Sequence, residues 1–226
     1  MSKLLLLALL STFTVHAEDY CFGFLNSVAD RKTISEAEGQ ALQQGHMDHM
    51  TRMNQIGRLL AAGPIMTAGN NRGILVYRCK SLGEAREWTA IDPMVVNGRL
   101  SAEFFVWRSR GFGDDQALPE KSSTDAKLTM IRLPLVLLKK TSSWTTEPVE
   151  QIAEQNLEAA ALRKAGKLRA AGPVLESAAL AGIMVFSGGT VEEAEKVAKE
   201  MPLVRSGYAT VQALQWFVAH EAVPLR

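Results

Sequence analysis

The sequence contains little cysteine, with only Cys21 and Cys79 among its 226 residues. No C-x-x-C pair occurs, so the sequence lacks the usual signature of a dithiol redox site or a cysteine-rich zinc site. It also contains no G-x-G-x-x-G segment, no P-loop and no serine nucleophile elbow. The segment Ser187-Gly188-Gly189 indicates a turn before a helix. These absences remove the main motif-based grounds for a nucleotide-binding protein or a serine hydrolase.

The sequence is also almost without net charge, because 25 basic side chains are balanced by 24 acidic ones. Nucleic acids and anionic membrane surfaces are bound by concentrated basic surfaces. We therefore expect no nucleic-acid partner and no membrane partner for the mature chain. An unknown small molecule is the expected ligand.

The longest apolar run lies at the start of the chain. Lys3 precedes the run Leu4–Leu10, and the small residues of Val15-His16-Ala17 follow it. This order is typical of a cleaved secretory signal peptide, and the run is shorter than the roughly 20 residues that span a bilayer. We expect residues 1–17 to be removed and the mature protein to be periplasmic or extracellular.

An internal repeat is the strongest pattern in the sequence. The segment Gly57-Arg-Leu-Leu-Ala-Ala-Gly63-Pro64 returns 109 positions later as Gly166-Lys-Leu-Arg-Ala-Ala-Gly172-Pro173. The same shift relates Trp107 to Trp216 without a gap. We predict two modules, residues 19–108 and 127–220, joined by a polar, glycine-containing linker over residues 109–126.

Each module is predicted to be α+β, with elements in the order βαββαβ. The capping box Ser81-Leu-Gly-Glu84 starts the second helix, and Pro93 is expected to end it. Such a module places both helices on one face of a four-stranded antiparallel sheet. Packing the two sheets against each other would cover their bare faces within one chain. This intrachain pseudo-dimer could be monomeric. In the first module, the expected strands are Tyr20–Leu25, Leu59–Met66, Gly73–Cys79 and Ala102–Trp107, and the expected first helix is Ser35–Ile56.

The pairing state of the two cysteines depends on strand direction. If the first and third strands were parallel neighbours, Cys21 would start one and Cys79 would end the other. A disulfide needs Cα atoms about 6 Å apart. We therefore expect two separate thiols, although an oxidising compartment would permit a disulfide.

The two repeats differ chemically at two positions that the scaffold does not require. His46 corresponds to Gln155, and Asp92 corresponds to Met201. Helical spacing places both residues of the first repeat on inward-facing surfaces, where a lone carboxylate is costly to bury. His46 is therefore a candidate partner for Asp92. The alternative is that Asp92 only caps a helix end or turn and that His46 is a hydrogen-bonded core histidine.

A third residue, His49, follows His46 by one helical turn. His46, His49 and Asp92 together could ligate a metal, but zinc normally takes three or four protein ligands and the His-x-x-His spacing alone is unspecific. We therefore expect no metal site and interpret His49 as a surface histidine. The methionines at 47, 50 and 53 are expected to fill the core.

These residues resemble the YCII-related family. The resemblance rests on His46, the Gly57–Pro64 segment, the helix start at Ser81, Asp92-Pro93 and the closing strand at Trp107. It implies tandem ferredoxin-like modules packed sheet to sheet as an intrachain dimeric α+β barrel. It also implies that His46 and Asp92 form an active-site pair, and that the second copy, which lacks both residues, is a degenerate structural half.

A carboxylate that orients an imidazole makes the free ring nitrogen a better base near neutral pH. Together with the resemblance, this chemistry suggests a cofactor-independent lyase or isomerase in which His46 is the base and Asp92 orients it. The competing hypothesis is a small-ligand-binding or structural module without turnover.

Overall fold

The computed structural model describes residues 18–67, 69–109 and 129–223. The predicted signal peptide, residues 1–17, lies outside the described residues, as does nearly all of the predicted linker. Of that linker, only Ser109 is described, as the last residue of a strand.

The first half of the described chain contains helical segments and four strands in the predicted order. They are β1 (Glu18–Ser27), α1 (Glu36–Gln55), β2 (Leu59–Pro64), β3 (Asn71–Tyr77), α2 (Leu82–Ala90), the short α3 (Pro93–Val96) and β4 (Leu100–Ser109). Asp92 lies between α2 and α3. Pro93 therefore begins α3 at its first position, where its missing N–H is not needed, and α2 has already ended at Ala90.

The second half has the same order of elements. They are β5 (Met130–Lys140), α4 (Val149–Lys164), β6 (Leu168–Leu175), β7 (Leu180–Phe186), α5 (Val191–Lys199), α6 (Pro202–Arg205) and β8 (Ala209–Ala219), followed by a short 3-10 helix at His220–Ala222. Both α2 and α5 begin with a hydroxyl cap, Ser81 and Thr190, as the repeat predicts. No helix within residues 18–67, 69–109 and 129–223 combines the length and apolar character needed to cross a membrane.

All eight strands form one antiparallel sheet in the order β2-β3-β1-β4-β6-β7-β5-β8. The two halves are joined where β4 pairs with β6 through Trp107 and Val174. The ends of the sheet meet where Ile65 bridges to Trp216. These two contacts are related by the 109-residue shift. At each junction, the last strand of one half therefore lies beside the second strand of the other half. Side chains from both halves, including Trp107 and Trp216, fill the interior, and the mixed α+β class is confirmed.

The repeated Gly-Pro segment lies where these edges meet. A Cβ atom at Gly63 would come closer than 3.0 Å to the carbonyl oxygen of Phe217, and one at Gly172 would come equally close to that of Arg108. Phe217 lies on β8 and Arg108 on β4. The glycines are therefore required for backbones of the two halves to approach each other.

The prediction of two separate thiols is wrong, because Cys21 and Cys79 form a disulfide with their Cα atoms 6.0 Å apart. The error came from strand direction. A helix joins β1 to β2 as parallel strands, and the turn from β2 to β3 reverses the chain, so β3 runs antiparallel to β1. The start of β1 and the end of β3 consequently lie at the same end of the sheet, where Cys21 pairs with Tyr77.

Candidate functional site

Helix α1 carries His46 near its middle and holds it against α3. Ser35 caps the helix in a capping box with Glu38, which satisfies backbone amides at its start. Gly45 faces Pro93 so closely that a Cβ atom there would lie 3.0 Å from the proline ring. This close packing of α1 on α3 brings His46 next to the residue that precedes Pro93.

That residue, Asp92, is fully buried and is the N-cap of α3. One carboxylate oxygen, Oδ1, accepts a hydrogen bond of 2.8 Å from the backbone N–H of Met94. The other, Oδ2, lies 2.6 Å from Nδ1 of His46. Asp92 therefore caps a helix and also hydrogen-bonds to His46. It has both of the roles that the sequence offered as alternatives.

The pair leaves one ring nitrogen of His46 open. Nδ1 is engaged by Asp92, and no hydrogen bond joins Nε2 to any described part of the chain. The His46 side chain is 15% exposed, whereas that of Asp92 is 0% exposed. The buried carboxylate thus fixes the ring, while Nε2 remains available to a ligand.

Two buried hydroxyls that were not among the predicted site residues lie close to the same carboxylate. The Thr89 hydroxyl donates a 3.3 Å hydrogen bond to the Tyr77 hydroxyl. Burial, with a smaller contribution from the negative charge of Asp92, raises the pKa of Tyr77 to about 12. Tyr77 is therefore a neutral phenol at ordinary pH. The repeat could have identified both residues, because their counterparts 109 positions later are the apolar Phe186 and Ala198.

His49 is buried, not at the surface as predicted, with only 4% of its surface exposed. Burial lowers its pKa below 6.5, and the nearby charge of Asp92 and a hydrogen bond to the Trp88 backbone only partly oppose this shift. Its Nε2 has no partner in the described structure. Residues 18–67, 69–109 and 129–223 contain no group of three His, Cys, Asp or Glu side chains placed to hold a metal ion, so His46, His49 and Asp92 do not form a three-ligand site.

The burial of His49 predicts a pH dependence of stability. Because the folded pKa lies below 6.5 and the unfolded value is about 6.5, the unfolded chain binds more protons as the pH falls past 6.5. We expect the free energy of unfolding to decline below about pH 6.5 and to stop declining once the pH is below the folded pKa. Urea unfolding of wild type and of His49→Gln between about pH 7.5 and 5 measures this decline. If the free energy of unfolding declined equally in both proteins, the pH dependence would come from a group other than His49.

At the positions equivalent to His46 and Asp92, the second half has neither a histidine nor a carboxylate. Gln155, the counterpart of His46, accepts a 3.3 Å hydrogen bond from the backbone N–H of Leu203 and donates one to the sulfur of Met184. Leu203 corresponds to Met94, so the Gln155 amide oxygen bonds the same backbone position that Asp92 bonds in the first half. Met201 occupies the carboxylate position and is buried among apolar side chains.

Two cavities are described, and neither includes the His46–Asp92 pair. One, of about 410 Å³, is open to solvent between the two halves and is lined by Met66, Thr67, Gln215 and residues 189–192. The other, of about 100 Å³, lies beside the disulfide.

Comparison with solved structures identifies proteins of the same overall fold. A structure described as a novel heme-binding protein from Thermus thermophilus is 13% identical with a TM-score of 0.54, covering 92% of this chain and 93% of that one. A mutant chlorite dismutase from Candidatus Nitrospira defluvii is 10% identical with a TM-score of 0.56, covering 90% of this chain and 91% of that one. At these identities the likeness establishes the fold alone. It places the chain among structural neighbours of the dimeric α+β barrel type.

A search of curated proteins finds no match to the sequence. The expectation of a cofactor-independent lyase or isomerase is wrong. The solved structures that share the fold are described as a heme-binding protein and a chlorite dismutase, not as cofactor-free lyases.

The resemblance seen in the sequence is confirmed for the first half of the chain. The matching segment begins within β1, ends within β4 and contains both His46 and Asp92. Residues 25–108 match the family described as the YCII-related domain.

Proposed function

We propose that this chain is a heme-binding protein in which Nε2 of His46 would hold the iron. The observation that carries the proposal is the 2.6 Å contact between His46 Nδ1 and the buried Asp92 carboxylate, with Nε2 left open. Metal-ligating histidines almost always donate their second ring N–H to a carboxylate, carbonyl or water, which fixes the tautomer and strengthens the ligand. The solved structure described as a heme-binding protein supports heme as the group to test.

The donor chemistry of the site fits heme. Iron in heme is commonly held by one proximal histidine, so a single ring nitrogen is sufficient and the absence of a three-ligand cluster in the described residues is no obstacle. Exposed apolar side chains flank both members of the pair in sequence. Met47, which was wrongly expected to lie in the core with Met50 and Met53, follows His46 and is 50% exposed. Ile91 precedes Asp92 and is 61% exposed. A porphyrin face is largely apolar, and exposed apolar side chains are what it would cover.

Each residue has a separate role in this proposal. His46 binds the group, and Asp92 is a positioning residue that holds the Nδ1 proton and prevents the ring from rotating. Asp92 is itself fixed by the Met94 N–H, so the rigidity of α3 is transmitted to the imidazole. When bound, the heme iron would supply redox or ligand-binding chemistry, which the protein would tune through His46 and its hydrogen bond to Asp92.

Titration with hemin, followed by the shift of the Soret absorption band, tests the assignment. Wild type should saturate at one hemin per chain, and His46→Ala should bind at least about tenfold more weakly. Asp92→Asn should weaken binding about 10- to 100-fold, as expected when the hydrogen-bonding partner of a ligand is changed. His220→Ala is the matched control, because His220 is an exposed histidine far along the chain, at the start of the 3-10 helix that follows β8. Equal binding by wild type and His46→Ala would refute the proposal.

We further propose how the chain is organised around this site. Residues 1–17 act as a signal peptide, and the mature protein works in the periplasm or outside the cell. Residues 127–220 are a second, degenerate copy that has lost the His–Asp pair and completes the barrel as a structural half. The repeated element order and the two junction contacts related by the 109-residue shift support this duplication. A chain of this kind supplies its own partner and can be monomeric.

A further inference from the structure

A second chemical feature, unconnected to the His46 site, lies in the other half of the protein. Arg169, on β6, is only 7% exposed. Its Nη1 donates a hydrogen bond to the carbonyl of Val223, and its buried Nε has no partner in the described structure. Among the described ion pairs, none involves Arg169. Arginine is rarely buried without a counter-charge, and the described residues provide none for this guanidinium.

The repeat indicates that the scaffold does not need a cation there. The counterpart of Arg169 is Leu60, which is buried in the interior of the barrel. Both residues lie at the same irregularity of the ladder, between Leu59 and Ala61 in one half and between Leu168 and Ala170 in the other. The backbone position is therefore equivalent in both halves, and only the second half uses it to present a positive charge.

We propose that Arg169 is the anchor of a binding site for a small organic carboxylate. The Nε edge of a guanidinium presents two parallel N–H groups that match the two oxygens of a carboxylate. Here that edge is free, because the one acceptor that the described residues provide, the Val223 carbonyl, takes Nη1. A carboxylate bound at Nε would accept a hydrogen bond from the unpaired Nε–H and would also neutralise the buried charge.

The side chains around Arg169 indicate the chemical character of the rest of the ligand. Val223 and the neighbouring strand residue Ala170 belong to the apolar cluster that fills the barrel, together with Val218 and Leu133. A fully hydrated dianion such as phosphate would lose more hydration than one guanidinium can replace. A monocarboxylate with an apolar body suits both the charge and the environment.

The probe for this site is benzoate, with neutral benzamide of the same shape as its control. Benzoate should raise the melting temperature of the full chain by about 5–10 °C at roughly a hundredfold excess over its dissociation constant, as binding to the folded state requires. Benzamide and inorganic phosphate should give no saturable rise. Arg169→Leu, which copies Leu60, should abolish the benzoate effect and should melt no lower than wild type without benzoate, because an uncompensated buried charge has been removed.

Two further variants complete the test. Arg169→Lys keeps the charge but loses the forked edge, and it should bind benzoate at least about tenfold more weakly. Arg132→Leu removes an arginine that lies over the Phe217 ring, and it should bind benzoate as wild type does. The proposal is overturned if wild type shows no saturable response to benzoate, if Arg169→Leu responds equally, or if benzamide stabilises as much as benzoate. Hemin binding by Arg169→Leu should be unchanged, which separates this site from His46.

Discussion

Replacing Gly63 with alanine should destabilise the protein by roughly 5 kcal/mol or more, or prevent it from folding, since the added methyl group meets rigid backbone. The methyl carbon would lie closer than 3.0 Å to the carbonyl oxygen of Phe217 on the opposing half. Neither strand can yield locally, because Gly63 pairs with Ile74 in the ladder and Phe217 pairs with Arg132 in its own. Relief would require the junction between the halves to open. Urea unfolding monitored by tryptophan fluorescence measures the loss.

The repeat provides both a replicate and a control for this prediction. Gly172→Ala should be equally damaging, because its methyl group would meet the Arg108 carbonyl in the same way. Gly188→Ala should change stability by less than about 1 kcal/mol, since a Cβ atom there has open space around it and alanine restricts the unfolded chain. If Gly63→Ala and Gly188→Ala were equally stable, the close approach of the two halves would be refuted.

The second large effect is expected at Asp92. Asp92→Met, which copies Met201, should lower the free energy of unfolding by roughly 3–5 kcal/mol. The substitution removes the hydrogen bond to the Met94 N–H and leaves the His46 Nδ1 without its partner. It also inserts a longer side chain beside an imidazole that occupies the available space. Chemical denaturation at about pH 7.5, where His49 is neutral, measures the change.

Adding His46→Gln to Asp92→Met should restore much of the lost free energy of unfolding. In His46→Gln/Asp92→Met, the new glutamine can accept from the Met94 N–H as Gln155 accepts from the Leu203 N–H. The double variant should therefore be more stable than Asp92→Met alone, with a coupling of about 1–3 kcal/mol between the two substitutions. Additive losses would mean that the two halves do not use equivalent packing at this position.

The sequence repeat was sufficient to predict the order of elements, the helix caps and the α+β class. The predicted helix Ser35–Ile56 and the strand starting at Leu59 lie within one residue of the observed limits at those points. The assumption of parallel first and third strands was mistaken, because neighbouring strands of the predicted antiparallel sheet run in opposite directions. Only the reversal between β2 and β3 fixes the direction of β3 relative to β1, and that reversal brings Cys79 to Cys21.

Comparison of the repeats was more informative about the site than any motif. It identified His46 and Asp92, and the same comparison applied to Tyr77, Thr89 and Arg169 would have identified those residues as well. The burial of His49 was missed because spacing from His46 alone does not show which face of α1 packs on the sheet. His49, Met50 and Met53 together define that face. The chemistry served by the pair could not be read from the sequence, because the same hydrogen bond activates a base or orients a metal ligand.

Heme binding at His46 is tested most directly by hemin titration of wild type beside the His46→Gln/Asp92→Met variant, whose site is rebuilt on the pattern of the second half. We predict a saturable Soret shift at one hemin per chain for wild type, and no saturable shift for a variant that remains folded. Stoichiometric binding by the folded double variant would contradict the assignment of function to the His46–Asp92 pair.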